Sequence, residues 1–248
     1  MHLLYEMRIG MSVRGKKHWS CDELFGCTFS TKGMRRKEGK RAVSLAGCAH
    51  GLSSTKALIG ENTMKKILFI VGSLRKESFN KKLAGEAERM LNGRATVEYL
   101  DYSDVPIMNQ DIEFPAPEAV TRVRARVAEA DAIWIFSPEY NYSYPGSLKN
   151  LIDWLSRPLV AGDRKTPLAI NDKKVALSGA GGASATAKCR EKLAELLKLP
   201  YIHADVMAEP QTGIQLNKEA WTEGRVILTD AQKEQLRLQV DAFLEYIG

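Results

Sequence analysis

From Lys65 onward, short apolar runs alternate with longer stretches in which apolar residues recur every three or four positions. The runs are KKILFIV, TVEYLDY, AIWIFS, KKVALSG and YIHADVM. They are largely continuous, not alternating, which predicts strands buried on both faces, as in a parallel sheet. The intervening stretches predict helices. Leu83, Ala84, Ala87, Met90 and Leu91 share one helical face, and Asn92-Gly93 closes it. PEAVTRVRARVAEADA and ATAKCREKLAELLKL follow the same period. TDAQ opens a last helix with a capping box at Thr229 and Gln232, and Leu236, Val240, Phe243, Leu244 and Ile247 form its apolar side. Right-handed crossovers between such strands predict an α/β, doubly wound, five-stranded parallel sheet of order 2-1-3-4-5, with helices on both faces. Ligands of such a sheet bind beyond the carboxyl ends of the strands, where the strand order reverses.

Residues 1–63 have a different texture. No apolar face there lasts beyond about a turn, and KGMRRKEGKRAV is a basic cluster. Charge divides at the same place. Eleven Lys and Arg against five Asp and Glu lie before Met64, whereas 25 balance 25 from Met64 to Gly248. The net charge of +6 therefore belongs to the first segment, and the main domain carries no basic stripe for a nucleic acid. Cys21, Cys27, Cys48 and His50 are zinc-ligand types, but neither close pair has the two-to-four-residue gap of a recurrent finger. An Arg-rich targeting peptide is disfavoured by the five acidic residues. The expected division is a disordered or non-native extension over 1–63, with Met64 as the natural start, and one domain over 64–248. Cys189 is the one cysteine of that domain, which suits a reducing compartment. No run approaches 18 apolar residues and Glu6 interrupts MHLLYEMRIG, so the expectation is a cytoplasmic protein without a membrane segment.

Three loops at strand ends carry the candidate chemistry. The first is GSLRKESFN, residues 72–80. Ser73 and Ser78 offer hydroxyls, Arg75 a fixed charge, Asn80 a helix cap, and the N–H groups of the helix start open into the same concavity. The helix end contributes about 1 kcal/mol toward an anion and a charge-assisted bond to Arg75 about 1.5–3 kcal/mol. Neither the Walker pattern nor GxGxxG is present, so the loop suits one phosphate. Its bland alternative is an ordinary Ser/Asn cap beside a solvated arginine.

The second loop begins SPEYNYSYPGSLKN. Pro138 fixes the turn, Asn141 suits a tight backbone, and Tyr140, Tyr142 and Tyr144 offer a wall for a flat heteroaromatic ring. A Tyr-rich surface loop or subunit contact is the alternative for Tyr142 and Tyr144. Leu148, Leu151, Ile152 and Leu155 form a stripe for core or interface, which Trp154 should join. The third loop, SGAGGASAT, has glycines at 179, 181 and 182 that would let the backbone approach a ring, a weak signal alone.

Together GSLRKESFN, PEYNYSYPGSLKNLIDWLSR, the Gly-rich loop and VPIMNQDIE resemble the NADPH-dependent FMN reductase family, which includes quinone, chromate and azo reductases. The similarity runs from about Lys65 to Pro210 and covers none of residues 1–63. It implies a flavodoxin-like fold, FMN held without a covalent bond, and NADPH or NADH as co-substrate. Carried over by position, Ser73, Arg75, Ser78, Phe79 and Asn80 would surround the phosphate. Pro138, Glu139, Tyr140 and Asn141 would line the isoalloxazine, flanked by Ser178 and Gly182. Relatives often carry a Gly pair where Ala185 and Thr186 stand here. The resemblance also implies a homodimer or homotetramer, with the helix at 145–155 near a subunit boundary.

The reaction so implied is reduction of small-molecule electron acceptors (quinones, azo compounds, chromate or flavins) in two half-steps, with no catalytic side chain and no metal. Glu139 is expected to act through its backbone, not as a base, and His203 as a packed or edge histidine. Two other classes fit parts of the pattern. A flavodoxin-type electron carrier or flavin-binding sensor would share the fold, although such carriers tend to be acidic. A Rossmann dehydrogenase would use the third loop.

Overall fold

The computed structural model describes residues 64–248, and the expectations for 1–63, including Cys21, Cys27, Cys48 and His50, lie outside the described residues. The elements run β1 (Lys66–Val71), α1 (Phe79–Leu91), β2 (Thr96–Tyr99), α2 (Glu118–Glu129), β3 (Ala132–Phe136), α3 (Gly146–Leu155), β4 (Lys174–Gly181), α4 (Ala187–Leu197), β5 (Asp205–Val206), β6 (Thr212–Gln215), α5 (Lys218–Glu223) and α6 (Asp230–Ile247). All strand pairs are parallel, in the order β2-β1-β3-β4-β5, with β6 also paired to β4. This is the flavodoxin-like arrangement.

Strand side chains alternate between two packed layers. Ile67, Phe69, Trp134, Phe136 and Ala176 face α1 and α6, where Leu83, Ala87, Leu236, Val240 and Phe243 meet them. Leu68, Ile70, Ile133, Ile135 and Leu177 face the other way, onto Val123, Val127, Leu148, Leu151, Ile152, Leu193 and Leu197 of α2, α3 and α4. The apolar stripe of α3 is thus core of this chain. Trp154 joins it fully buried, its indole N–H donating to Pro106 O at 2.8 Å. The capping box at Thr229 and Gln232 forms as expected. Among the described residues no helix is long and apolar enough to cross a membrane.

The fifth strand departs from expectation. YIHADVM does not form one strand. Ile202 and His203 donate to Leu199 O, closing a turn after α4, so only Asp205–Val206 pairs with Lys174–Val175. Chain continuity with the sheet then lapses, because Pro210 has no N–H for a ladder. Pairing resumes at Thr212–Gln215 against Ser178–Gly181. Two short strands therefore line the outer side of β4, and β6 extends the sheet at the carboxyl end, where the loops gather. His203 is half-exposed on the turn, its ring nitrogen 3.0 Å from Asp172.

Candidate active site

The three loops leave β1, β3 and β4 at their carboxyl ends. Between β1 and β3 the chain reverses its direction of travel across the sheet. Gly72 N–H donates to Phe136 O at 2.8 Å, holding the first loop against the second. A Cβ on Gly72 would meet Ser137 Oγ at 3.0 Å and Pro138 Cδ at 3.3 Å, so glycine allows this approach.

Beyond Gly72 the backbone turns its donors outward from the ladder. Among the described residues, the N–H groups of Ser73, Leu74, Lys76, Glu77, Ser78, Phe79 and Asn80 have no acceptor; that of Arg75 reaches Ser73 Oγ at 3.4 Å. Ser78 is the N-cap of α1, its hydroxyl accepting from Lys81 N–H at 3.3 Å and keeping its own proton to donate. The exposed Arg75 guanidinium lies 4.9 Å from the Phe79 ring centroid. Clustered free N–H groups, a helix start, two hydroxyls and one guanidinium match a phosphate dianion in number and sign. The residues present fit the phosphate end of a flavin mononucleotide.

Asn80 does a different job from the expected cap. Its buried carboxamide donates to Ala180 O at 3.0 Å and accepts from Ala180 N–H at 2.8 Å, tying α1 to the end of β4. Its side chain is thereby committed, and only its backbone N–H faces the loop's task.

The second loop is a two-residue hairpin. Tyr140 and Ser143 exchange both backbone hydrogen bonds, at 2.9 and 3.0 Å, across Asn141 and Tyr142. Both central residues have positive φ, 51° and 59°, the requirement of a type I′ turn. Pro138 is buried behind the turn, while Tyr140 and Tyr142 stand exposed and Tyr144 packs on the core. The Glu139, Asn141 and Tyr142 N–H groups have no acceptor among the described residues. A flat ring laid on this turn meets free donors and an aromatic edge, which is what the polar rim of an isoalloxazine needs.

Glu139 joins the second loop to the third. Its carboxylate accepts from Cys189 N–H at 2.9 Å and from the Ser184 hydroxyl at 2.7 Å. Cys189 is the third residue of α4, and Thr186, the N-cap, makes no side-chain cap bond. Glu139 therefore caps α4 from outside, with a negative charge where the helix dipole favours one. Its carboxylate is engaged in bracing the third loop, while its backbone N–H has no acceptor among the described residues. Behind it, the buried Cys189 thiol donates to Ser137 Oγ at 3.3 Å. Burial pushes this thiol up to about 11, so it stays protonated at neutral pH.

Ala185 and Thr186 have φ of 46° and 61°, the left-handed region that a glycine pair would occupy freely. The Thr186 side chain fills the space left by two glycines, since a Cβ on Gly179 would collide with Thr186 Oγ1 and Ser137 O, and one on Gly181 would meet Thr186 Cγ2 at 2.9 Å. Thr186 Oγ1 is buried without a partner among the described residues. Gly182 is exposed at the mouth. Ser178 is not: its hydroxyl accepts from Trp134 Nε1 at 2.9 Å and donates to Gln239 Oε1 at 2.7 Å, inside the core. The structure therefore gathers Ser73, Arg75, Ser78, Phe79, Asn80, Pro138, Glu139, Tyr140, Asn141 and Gly182 at one end of the sheet and sends the Ser178 side chain away from it. A separate cleft of about 720 Å³ lies at the opposite end, lined by Arg157, Lys165, Asp172, Tyr201 and His203, and shares none of these residues.

The family profile for NADPH-dependent FMN reductases matches residues 65–217, all three loops included. The chain belongs to this family. It is accordingly an oxidoreductase whose cofactor is FMN and whose electron donor is NAD(P)H, and the electron-carrier and dehydrogenase readings give way. Among its relatives, an NAD(P)H-dependent FMN reductase of Pseudomonas aeruginosa is 33% identical over 178 residues, 71% of this chain and 92% of the relative. A quinone reductase of Escherichia coli K12 is 33% identical over 193 residues, 73% of this chain and 95% of that one. Some further relatives are matched over about half of their length. The solved structure of a flavoenzyme NAD(P)H:(acceptor) oxidoreductase from Paracoccus denitrificans superposes with a TM-score of 0.64 at 33% identity, covering 74% of this chain and 97% of that one.

What the sequence did not disclose is how this family site is braced. The Asn80–Ala180 pair, the Glu139 cap on α4, and Trp221, which packs against Phe79 from α5, carry no local motif. The last left one trace, a tryptophan in the otherwise polar stretch NKEAWTEGR.

Proposed function

We propose that the protein reduces quinones and related two-electron acceptors with NAD(P)H, the nicotinamide and the acceptor using one open ring face in turn. FMN, where bound, would supply the redox chemistry that links the nicotinamide to the acceptor. The side chains and backbone of this chain bind and orient. Residues 73–80 hold the phosphate through backbone N–H groups, Ser73, Ser78 and Arg75, beside Phe79. The turn at 138–143 would line the ring, with the free N–H groups of Glu139 and Asn141 available to negative charge on its polar rim. Gly182 leaves the third loop open beside it.

The observation that carries this reading is the run of unpaired N–H donors at the reversal of strand order, next to a preformed turn. The acceptor class is supported by the quinone reductase of E. coli, which matches over nearly its whole length. Azo compounds, chromate and free flavins are further acceptors an open ring face admits. A homodimer or homotetramer suits the exposed Tyr140, and the cytoplasm suits a domain whose cysteine is a buried thiol.

Steady-state oxidation of NADPH with benzoquinone tests the proposal. Saturable turnover with parallel double-reciprocal lines is expected. A yellow protein without turnover, or lines that converge, would contradict the single shared face.

A further inference from the structure

Arg75 is an exposed arginine with no ion-pair partner and no side-chain hydrogen bond among the described residues. Its guanidinium carbon lies over the Phe79 ring, 4.9 Å from the centroid. Phe79 in turn meets the ring of Trp221 edge-on, at 5.5 Å between centroids and 78° between planes. Trp221 stands on α5, four residues past the end of the family match at 217, and is 61% exposed. A tryptophan left this open does little for the core, whose contact with α5 is the buried Ala220.

The position of α5 is set independently. Lys82 on α1 donates to Gly224 O at 2.7 Å and pairs with Glu77 of the first loop at 3.2 Å. The same lysine thus ties the end of α5 to both the helix and the loop that start the phosphate site. Asn217 Oδ1 accepts from Ile227 N–H at 3.1 Å, closing the segment that carries Trp221 on itself. The result is a column of Trp221, Phe79 and Arg75 leaning on the loop from outside.

We propose that Trp221 is a positioning residue for the phosphate site, acting through Phe79 to hold the Arg75 guanidinium over the first loop. The inference rests on the assignment of that loop to the FMN phosphate. A guanidinium on a long flexible stem loses much freedom when it grips an anion, and a ring that already orients it reduces the loss. The edge-to-face pair holds the ring, and the cation–π contact holds the arginine. Phe79 also packs partly on the core, so Trp221 fixes the ring on its open side; without it that side is unsupported and the arginine is less closely directed.

The test compares FMN with riboflavin, which has the same ring and no phosphate. Both are titrated by fluorescence into the full chain stripped of flavin, as wild type, Trp221→Ala, Trp221→Phe, Arg75→Ala and the double variant. The proposal expects Trp221→Ala to weaken FMN about 3- to 10-fold while riboflavin binding stays unchanged. It expects Trp221→Phe to recover most of the loss, and Trp221→Ala to add little once Arg75 is already alanine. Thermal unfolding of each variant shows that the fold is kept. An unchanged FMN affinity in Trp221→Ala overturns the proposal. So does an equal loss for FMN and riboflavin, or a full extra loss in the Arg75→Ala background, since either makes Trp221 a general support. If Arg75→Ala itself leaves FMN unaffected, the phosphate assignment fails and the role of Trp221 falls with it.

Discussion

At Tyr142 a bulky residue sits at φ 59°, beside Asn141 at 51°. Asparagine tolerates this region; tyrosine does so at a cost of about 1–3 kcal/mol. The side chain is 69% exposed and gains little from packing in return. Tyr142→Gly should therefore raise stability by about 1 kcal/mol, or about 2–4 °C in Tm by circular dichroism. A fall in Tm would show that the turn is not held in this form by its own backbone. Sequence reading reached part of this. The letters PEYNYS announced a tight turn at Asn141, but a second left-handed residue at a tyrosine has no compositional signature, because the hairpin bonds of Tyr140 and Ser143 impose it. Ala185 and Thr186 are the same case. Gly179 and Gly181 read as room for a ligand, and much of that room is filled by Thr186.

Helix and strand positions were legible where apolar periodicity was long, as in α1, α3 and α6. They were not legible where tertiary bonds decide. YIHADVM has the composition of one strand, yet the turn at Leu199–His203 consumes half of it and β6 supplies the rest of the edge. At the other end of the same unit, α4 begins at a Thr186 that cannot cap it, and Glu139, 50 residues before Cys189, does so instead. Glu139→Ala removes both acceptors that join the second and third loops. It should lower stability by about 1 kcal/mol in urea denaturation and loosen flavin binding together with it. Full retention of both would mean that the carboxylate is a bystander and the loops are fixed by backbone alone.

Over the whole molecule, the doubly wound sheet was readable because its strands are buried on both faces and say so in sequence. The candidate site was legible through topology, since it lies at the reversal between β1 and β3, where such sheets place their ligands. Its cross-ties were unreadable because each joins residues far apart, as Asn80 joins Ala180. The even balance of 25 basic and 25 acidic residues from Met64 onward separates the catalytic unit from the basic segment before it. That unit contains every loop of the site, and the family match begins at residue 65. Removal of residues 1–63 should leave FMN affinity and Tm within error of the full chain, and a collapse of either would give that segment a structural part. The central claim is that the first loop grips the flavin through its phosphate, with Arg75 as the charged finger. The dissociation constant of FMN for Arg75→Ala, set against wild type at fixed salt, tests it most directly. Loss of one charge-assisted bond of about 1.5–3 kcal/mol predicts FMN binding weakened by about 10- to 150-fold with the fold intact; an unchanged constant would contradict the account.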